Sequence, residues 1–285
     1  MNKTVTIIVP TINSAQTLRA CLASIAHQSY TNIELIVIDK FSTDGTSDIA
    51  KEYTPHVYSF GPERCAQRNE GARRATGDYV LFIDCDMELS PEVVRECVTE
   101  VESRKSITSI KSIVGVIIPE ESFGEGFWAE CKKLERSFYV GVAWMEAARF
   151  FPKKVFDAVG GYDEQLVSGE DWDLSQRVAA TGSIARIPSF ICHNEGHLRL
   201  SKTIKKKFHY ARMFARYIAK REHTPVTQKQ TGIFARYGLF FREPIKLFAS
   251  PLHGIGMLFM KTCEFAAGGI GIGYARLLER DKPIA

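Results

Sequence analysis

The chain has 285 residues, 45% of them apolar and 25% charged, and a formal net charge of +4. That length and apolar content can bury an α/β domain of about 200 residues and leave a further region beyond it. A balance so close to neutral, with no recognition module in view, excludes a nucleic-acid-binding role, and seven cysteines, odd in number and without a C-x-x-C pair, exclude a disulfide scaffold and fit a reducing compartment.

Val5 to Pro10 is a β-branched run, and Ile33 to Asp39 is a second. Between them a helix is expected, signalled at its start by Asn13 or Ser14 and carrying the apolar face Leu18, Cys21, Leu22 and Ile25. Strand, helix and strand make a βαβ unit with parallel strands and a right-handed crossover. A polar turn follows at Phe41 to Thr46, with Gly45 at a position that permits positive φ, and leads to a helix over Thr46 to Tyr53. The next helix begins near Glu63. A third strand, Tyr79 to Ile83, ends at Asp84-Cys85-Asp86.

Two carboxylates one residue apart at the end of a buried strand sit where α/β enzymes place their chemistry. Such a pair can hold a hard divalent cation and leave coordination positions open for a diphosphate; the alternative is a solvated turn.

Several motifs decide between these readings. Ile8 to Asn13, Ile38 to Thr46, the stretch Gly61 to Gly71 with Arg64, Arg68 and Asn69, Gly77-Asp78-Tyr79, and Val159 to Glu164 followed by Gly169 to Leu174 occur in order. In this order they resemble the inverting family 2 glycosyltransferases of the GT-A fold. The resemblance covers roughly residues 4 to 200. It implies an α/β, Rossmann-like, mostly parallel sheet flanked by helices, in a domain spanning about 1–200, with 201–285 as a separate helical, membrane-associating region.

The resemblance further implies a UDP- or GDP-sugar donor. Its nucleotide would meet Pro10, Thr11, Asn13, Asp39, Lys40, Arg68 and Asp84, with Asp39 reading the base. Mn²⁺ or Mg²⁺ would be held by Asp86 and Asp84 with His193, which ends the short apolar strand Phe190 to His193. Asp171 matches the family's general base, with Glu170 beside it; the other reading of Asp171 is the N-cap of a helix over Trp172 to Ala180. Arg68 is the expected clamp on the phosphates, and Arg64 is either a second clamp or a solvated helix residue. Trp128, Trp144, Trp172 and Arg149 are acceptor-side candidates, against a core role for the aromatics and a structural salt bridge for Arg149. Cys85 and Cys192 are expected to pack inward.

The chain departs from the family pattern at Lys40 and Phe41, where a second Asp and a Gly are usual. Lys40 approaches a phosphate, pairs with Asp39 or Asp44, or is solvated.

From Arg199 the composition changes. Nine basic residues and no acidic one lie between Arg199 and Arg221, interleaved with Ile204, Phe208, Ala211, Ala215 and Ile218 at helical spacing. This pattern suits an anionic membrane surface; its alternative is a helix packed on the core with solvated lysines. Leu247 to Met260 and Phe265 to Ala275 lack Asp, Glu, Lys and Arg for fourteen and eleven positions. Each is shorter than the roughly 20 residues that span a bilayer. They are expected to be separate interfacial or re-entrant segments, or else a homo-oligomer interface. The first apolar run is about six residues long and strand-like, so no secretory signal is read there, and the protein is expected to be peripheral on the cytoplasmic face of a membrane.

The expected reaction is therefore metal-dependent, inverting sugar transfer from a nucleotide-diphosphate sugar to a lipid-linked or membrane-proximal glycan. Two alternatives are a synthase that charges polyprenyl phosphate and a non-catalytic nucleotide-sugar-binding scaffold. A nucleotidyltransferase would carry a Gly-rich phosphate loop, and residues 8 to 20 have none.

Overall fold

A computed structural model describes residues 3–104, 112–221 and 224–280. The elements are β1 (Val5–Thr11), α1 (Ala15–Ala26), β2 (Ile33–Asp39), α2 (Thr46–Lys51), β3 (Val57–Ser59), α3 (Arg64–Arg74), β4 (Tyr79–Phe82), β5 (Met87–Leu89), α4 (Val93–Arg104), β6 (Ile113–Ile117), β7 (Glu120–Glu125), α5 (Phe127–Ser137), β8 (Ala148–Pro152), α6 (Lys153–Ala158), α7 (Glu170–Ala179), β9 (Ser183–Arg186), β10 (Ile191–His197), α8 (Leu200–Arg221), α9 (Pro225–Thr231), α10 (Ile233–Arg242), α11 (Pro244–Ala249) and α12 (Pro251–Arg280). They fall into two units: one holds residues 1–120, 147–165 and 170–194, and the other 121–146, 166–169 and 195–285.

In the first unit seven strands form a sheet in the order β3-β2-β1-β4-β8-β6-β9. β3, β2, β1 and β4 run parallel, as do β6 and β9, while β8 is antiparallel to both its neighbours. Alternation along β1 explains the layering. Val5, Ile7 and Val9 join Leu18, Cys21, Leu22 and Ile25 of α1 in one core, while Ile8 joins Ile36, Ile38, Val80 and Phe82 in the other. Every residue of β1 and of β4 is buried, as expected for strands covered on both faces. The predicted helical faces and strands therefore stand, with α2 ending at Lys51 rather than Tyr53 and α7 beginning at Glu170 rather than Trp172.

The second unit differs from its expected boundaries. The predicted division at residue 200 is replaced by one that groups 121–146 with the C-terminal helices, because Cys131 and Phe138 share a core with Phe240, Leu247, Met257 and Met260. The two short apolar segments expected at Leu247 to Met260 and Phe265 to Ala275 are instead joined, from Pro251, in the single 30-residue helix α12. Two features permit this. Pro251 occupies the start of the helix, where its missing N–H costs nothing, and two of the glycines, Gly256 and Gly271, serve close packing. A Cβ at Gly256 would lie 2.4 Å from the Phe127 ring, and one at Gly271 2.6 Å from the Phe208 carbonyl oxygen. Close approach to α5 and α8 offsets the roughly 1 kcal/mol per glycine that a helix interior otherwise loses. Over Pro251–Ala275 this helix is long and apolar enough, by length and composition, to cross a membrane. Its Lys261 and Glu264, however, are 1% exposed and paired inside the unit.

Candidate active site

The site is built at the carboxyl ends of β1, β2 and β4. α3 brings its basic side chains there because Gly71 lets the helix settle on β1: a Cβ at Gly71 would stand 2.4 Å from Ile8 Cγ2. Arg64 and Arg68 are four residues apart and share one helix face. Arg68 is fully buried. Its Nη2 donates to Asp84 Oδ1 at 2.6 Å, its Nη1 to Asp171 Oδ1 at 3.0 Å, and Glu170 Oε1 lies 3.6 Å from Nη1. Arg64 donates to the same Glu170 oxygen.

The Tyr162 ring lies beneath this guanidinium, with its centroid 4.9 Å from Arg68 Cζ. Asn69 fixes Tyr162 there: its Nδ2 donates to the Tyr162 carbonyl at 2.9 Å, and its Oδ1 accepts the Tyr162 N–H at 2.9 Å. The motif Gly160-Gly161-Tyr162 thus supports Arg68, a role that sequence spacing alone did not assign.

Asp84 and Asp86, expected to act as a pair, face different partners. Asp84 lies between Arg68 and Arg149, whose Nη1 is 3.7 Å from Asp84 Oδ2. Burial alone would raise its pKa, but the charges of Arg68, Arg64 and Arg149 outweigh burial and hold it well below the usual carboxylate range. Asp86 instead faces His193, with Nε2 and Oδ2 3.3 Å apart. Antiparallel pairing of β5 with β10 sets this contact, since His193 is in register with Met87, the residue after Asp86.

Asp86 and His193 offer a carboxylate oxygen and an imidazole nitrogen, both partly accessible. That set fits Mn²⁺ or Mg²⁺ bound through one or two side chains with substrate phosphate and water completing the shell. Among the described residues no group of three or more potential metal-ligating side chains occurs. His197 belongs to the other unit.

Arg149, considered for the acceptor side, is buried here, with Nε and Nη2 both 2.8 Å from Glu120 Oε1. Three nitrogens in this cluster are buried without a hydrogen-bond partner: Arg64 Nε, Arg68 Nε and Arg149 Nη1. Glu170 is the counterpart of Asp84. Burial and the neighbouring Asp171 charge push its pKa up, against the pull of Arg64 and Arg68. Asp171 lies inside the first turn of α7 rather than at its N-cap, and Arg68 engages its Oδ1.

Asp39, expected to read a base, is 2% exposed. Its two carboxylate oxygens accept from the Ser42 N–H and hydroxyl at 2.9 and 2.5 Å. Lys40 pairs with neither Asp39 nor Asp44; its Nζ lies 3.5 Å from Glu63 Oε1. Pro10 and Thr11 are buried at the end of β1, and Asn13 bonds the next loop through Thr43 N–H. Trp172 is half-buried on α7. Trp128 and Trp144 belong to the second unit, where Trp128 packs on Phe127 and Phe259 and the Trp144 carbonyl accepts from Gln230. Cys21, Cys65, Cys97 and Cys131 are buried, and Cys85, Cys192 and Cys263 are partly buried.

A mostly parallel seven-stranded sheet flanked by helices is a GT-A-like α/β fold. Residues 6–139 match Glycosyl transferase family 2, and this match supports a glycosyltransferase. An uncharacterised glycosyltransferase of Escherichia coli K12, YibD, is 36% identical over 107 residues, 35% of this chain and 31% of that protein. A PGL/p-HBAD biosynthesis glycosyltransferase of Mycobacterium bovis is 29% identical over 189 residues, 60% of this chain and 68% of the relative. The chain thus spans about a third of the E. coli protein and about two thirds of the mycobacterial one. Among solved structures, a mannosyltransferase of Pyrobaculum calidifontis in complex with GDP-Man and Mn²⁺ has a TM-score of 0.58 at 17% identity, covering 95% of this chain and 87% of its own. TarS residues 1–349 of S. aureus have a TM-score of 0.53 at 15% identity, covering 96% and 91%. These similarities establish the fold.

Proposed function

We propose that the protein transfers a sugar, with inversion, from a UDP- or GDP-sugar to a hydroxyl of a lipid-linked or membrane-proximal glycan. The observation that carries this reading is Arg68, buried between Asp84 and Asp171 with Nε still unsatisfied beside the unsatisfied donors of Arg64 and Arg149. Buried donors of this kind cost free energy until a ligand accepts from them, and a diphosphate is the acceptor that guanidinium groups suit best.

Asp86 and His193 would hold Mn²⁺ or Mg²⁺. When bound there, the cation would neutralise charge developing on the departing diphosphate. Arg68 orients Asp171 through Oδ1, which leaves Oδ2 to take the proton of the attacking hydroxyl as it approaches the anomeric carbon opposite the leaving group. A phosphate acceptor, already ionised, would need no such base, so this arrangement favours glycan extension over charging of polyprenyl phosphate.

Membrane association rests on the second unit alone. Phe234 is 93% exposed, and Phe241, Ile245, Phe248, Leu252, Ile255 and Phe259 are also exposed on α10 to α12. Together with the basic residues of α8, this apolar surface suits peripheral docking on an anionic cytoplasmic leaflet; pairing with a second copy is its competitor.

Calorimetry with UDP, GDP and their sugar conjugates, first with Mn²⁺ and then with chelator, tests the donor site. Metal-dependent micromolar binding of one nucleotide is expected. A folded protein that binds none of them would refute the reading.

A further inference from the structure

Asn13 and Phe41, at φ +45° and +52°, are the non-glycine residues with positive φ among those described. They lie in the loops that follow β1 and β2, two adjacent parallel strands, and these loops are bonded to each other. Lys40 N–H donates to Thr11 O at 2.8 Å, Asn13 N–H to Ser42 Oγ at 2.7 Å, and Thr43 N–H to Asn13 Oδ1 at 3.0 Å. Asparagine tolerates left-handed backbone readily, but a bulky aromatic residue does so only under strain. The fold therefore holds Phe41 in a disfavoured conformation while its ring is 69% exposed to solvent. Such strain persists where surrounding structure imposes it, and it concentrates at ligand sites.

The surroundings of the ring say which ligand. Ile12, the residue after β1, is 48% exposed in the partner loop. Gly61 runs alongside, close enough that a Cβ there would be 3.8 Å from Phe41 Cε2. Three residues later stands Arg64. Gln67, next to Arg68 on α3, ties the same helix to the loop roots by donating to Thr11 O at 3.0 Å and Ile38 O at 2.7 Å. An exposed apolar surface thus sits against the segment that leads into α3, the helix that carries Arg64 and Arg68, while the carboxylate of Asp39 is buried and bonded to Ser42.

We propose that Phe41, with Ile12, forms an apolar platform on which the nucleobase of the donor stacks. The proposal rests on the donor-site reading above. Every base has a π-face, so this contact tolerates both uracil and guanine. The residue that replaces the usual glycine at this turn accordingly adds affinity for the nucleoside half and none for the diphosphate half.

The test is calorimetry of the full-length wild type and of Phe41→Gly and Phe41→Tyr with UDP, GDP and inorganic diphosphate, each with Mn²⁺, alongside thermal melts. Phe41→Gly is expected to melt higher, since glycine adopts positive φ without a steric penalty, and yet to bind both nucleotides about tenfold more weakly, the lower range for loss of one base–aromatic stack. Its affinity for diphosphate should stay at the wild-type value, and Phe41→Tyr should retain nucleotide binding. Unchanged nucleotide affinity in a folded Phe41→Gly, or an equal loss for diphosphate, overturns the platform while the donor reading stands. Wild-type protein that binds none of the three probes overturns both.

Discussion

Two clusters of buried charge, one in each unit, are made of similar groups and end in opposite states. In the second unit Lys261 lies 2.5 Å from Glu135 Oε1 and 2.9 Å from Glu264 Oε2, while Lys132 lies 2.8 Å from Glu135 Oε2 and 3.3 Å from Glu264 Oε1. Two ammonium groups alternate with two carboxylates, and Tyr139 OH adds a bond to Glu135 at 2.6 Å. Every carboxylate oxygen has a partner. In the first unit Arg64, Arg68 and Arg149 meet Asp84, Glu120, Glu170 and Asp171, and each arginine retains a buried nitrogen without an acceptor. Burial of charge therefore does not mark a site by itself. The closed ring fastens α5 to α12, whereas the open cluster has hydrogen-bonding capacity left for a ligand.

Breaking each cluster should have a different consequence. The largest effect is expected at Asp171: Asp171→Asn should lower the rate of sugar transfer by about 10²- to 10⁴-fold, the usual worth of a positioned base, with metal-dependent donor binding nearly intact by calorimetry. Loss of binding together with activity would make Asp171 a structural anchor for Arg68. Next comes Glu135→Ala, which leaves Lys132 and Lys261 to share the single carboxylate of Glu264 and should cost about 3–5 kcal/mol in denaturant unfolding. Replacing the pair together, Lys261→Met with Glu135→Leu, should recover most of that loss, because the Lys132–Glu264 contact survives and two buried charges vanish. A double variant as unstable as Glu135→Ala would show that the ring has no independent halves.

Acid should separate the clusters more gently. Burial raises the carboxyl of Glu264, but Lys132 and Lys261 outweigh it and lower its pKa to about 2; Glu135 is likewise held well below its ordinary range. A carboxylate depressed on folding stabilises above its unfolded pKa, about 4.3, and loses that contribution as pH falls through the folded value. Glu170 has the opposite sign: its pKa is raised, so its contribution is present in acid and fades as pH rises. Chemical denaturation at pH 7 and pH 3 should show a net loss in acid, diminished in Glu135→Leu/Lys261→Met and enlarged in Glu170→Gln. The smallest effect is expected at Lys40→Ala, which removes a half-exposed contact to Glu63 and should change stability by less than about 1 kcal/mol.

The first unit was legible because local pattern and tertiary role agree there. Continuous apolar runs became the covered strands β1, β2 and β4, and the 3.6-residue face of α1 became a core face. Spacing along the chain likewise carried Asp84, Arg68 and Asp171 to the strand ends, where any parallel sheet collects its loops. Spacing did not reveal direction. The triplet Asp84-Cys85-Asp86 reads as one pair of ligands, yet successive turns of backbone aim Asp84 at Arg68 and Arg149 and Asp86 at His193. Nor does Asp39 announce that Ser42 will occupy both its oxygens.

In the second unit the apolar composition was plain but its continuity was not, since glycines that weaken an isolated helix are the positions at which α12 touches Phe127 and Phe208. The amino-acid sequence by itself determined the order of strands and helices, the class of fold and the chemical types available at the strand ends, because hydrophobic periodicity and turn chemistry act over a few residues. Only the tertiary structure decided which charges close on one another and which keep a free donor, because such partners meet across a hundred residues of chain, and their balance depends on burial that no local pattern encodes.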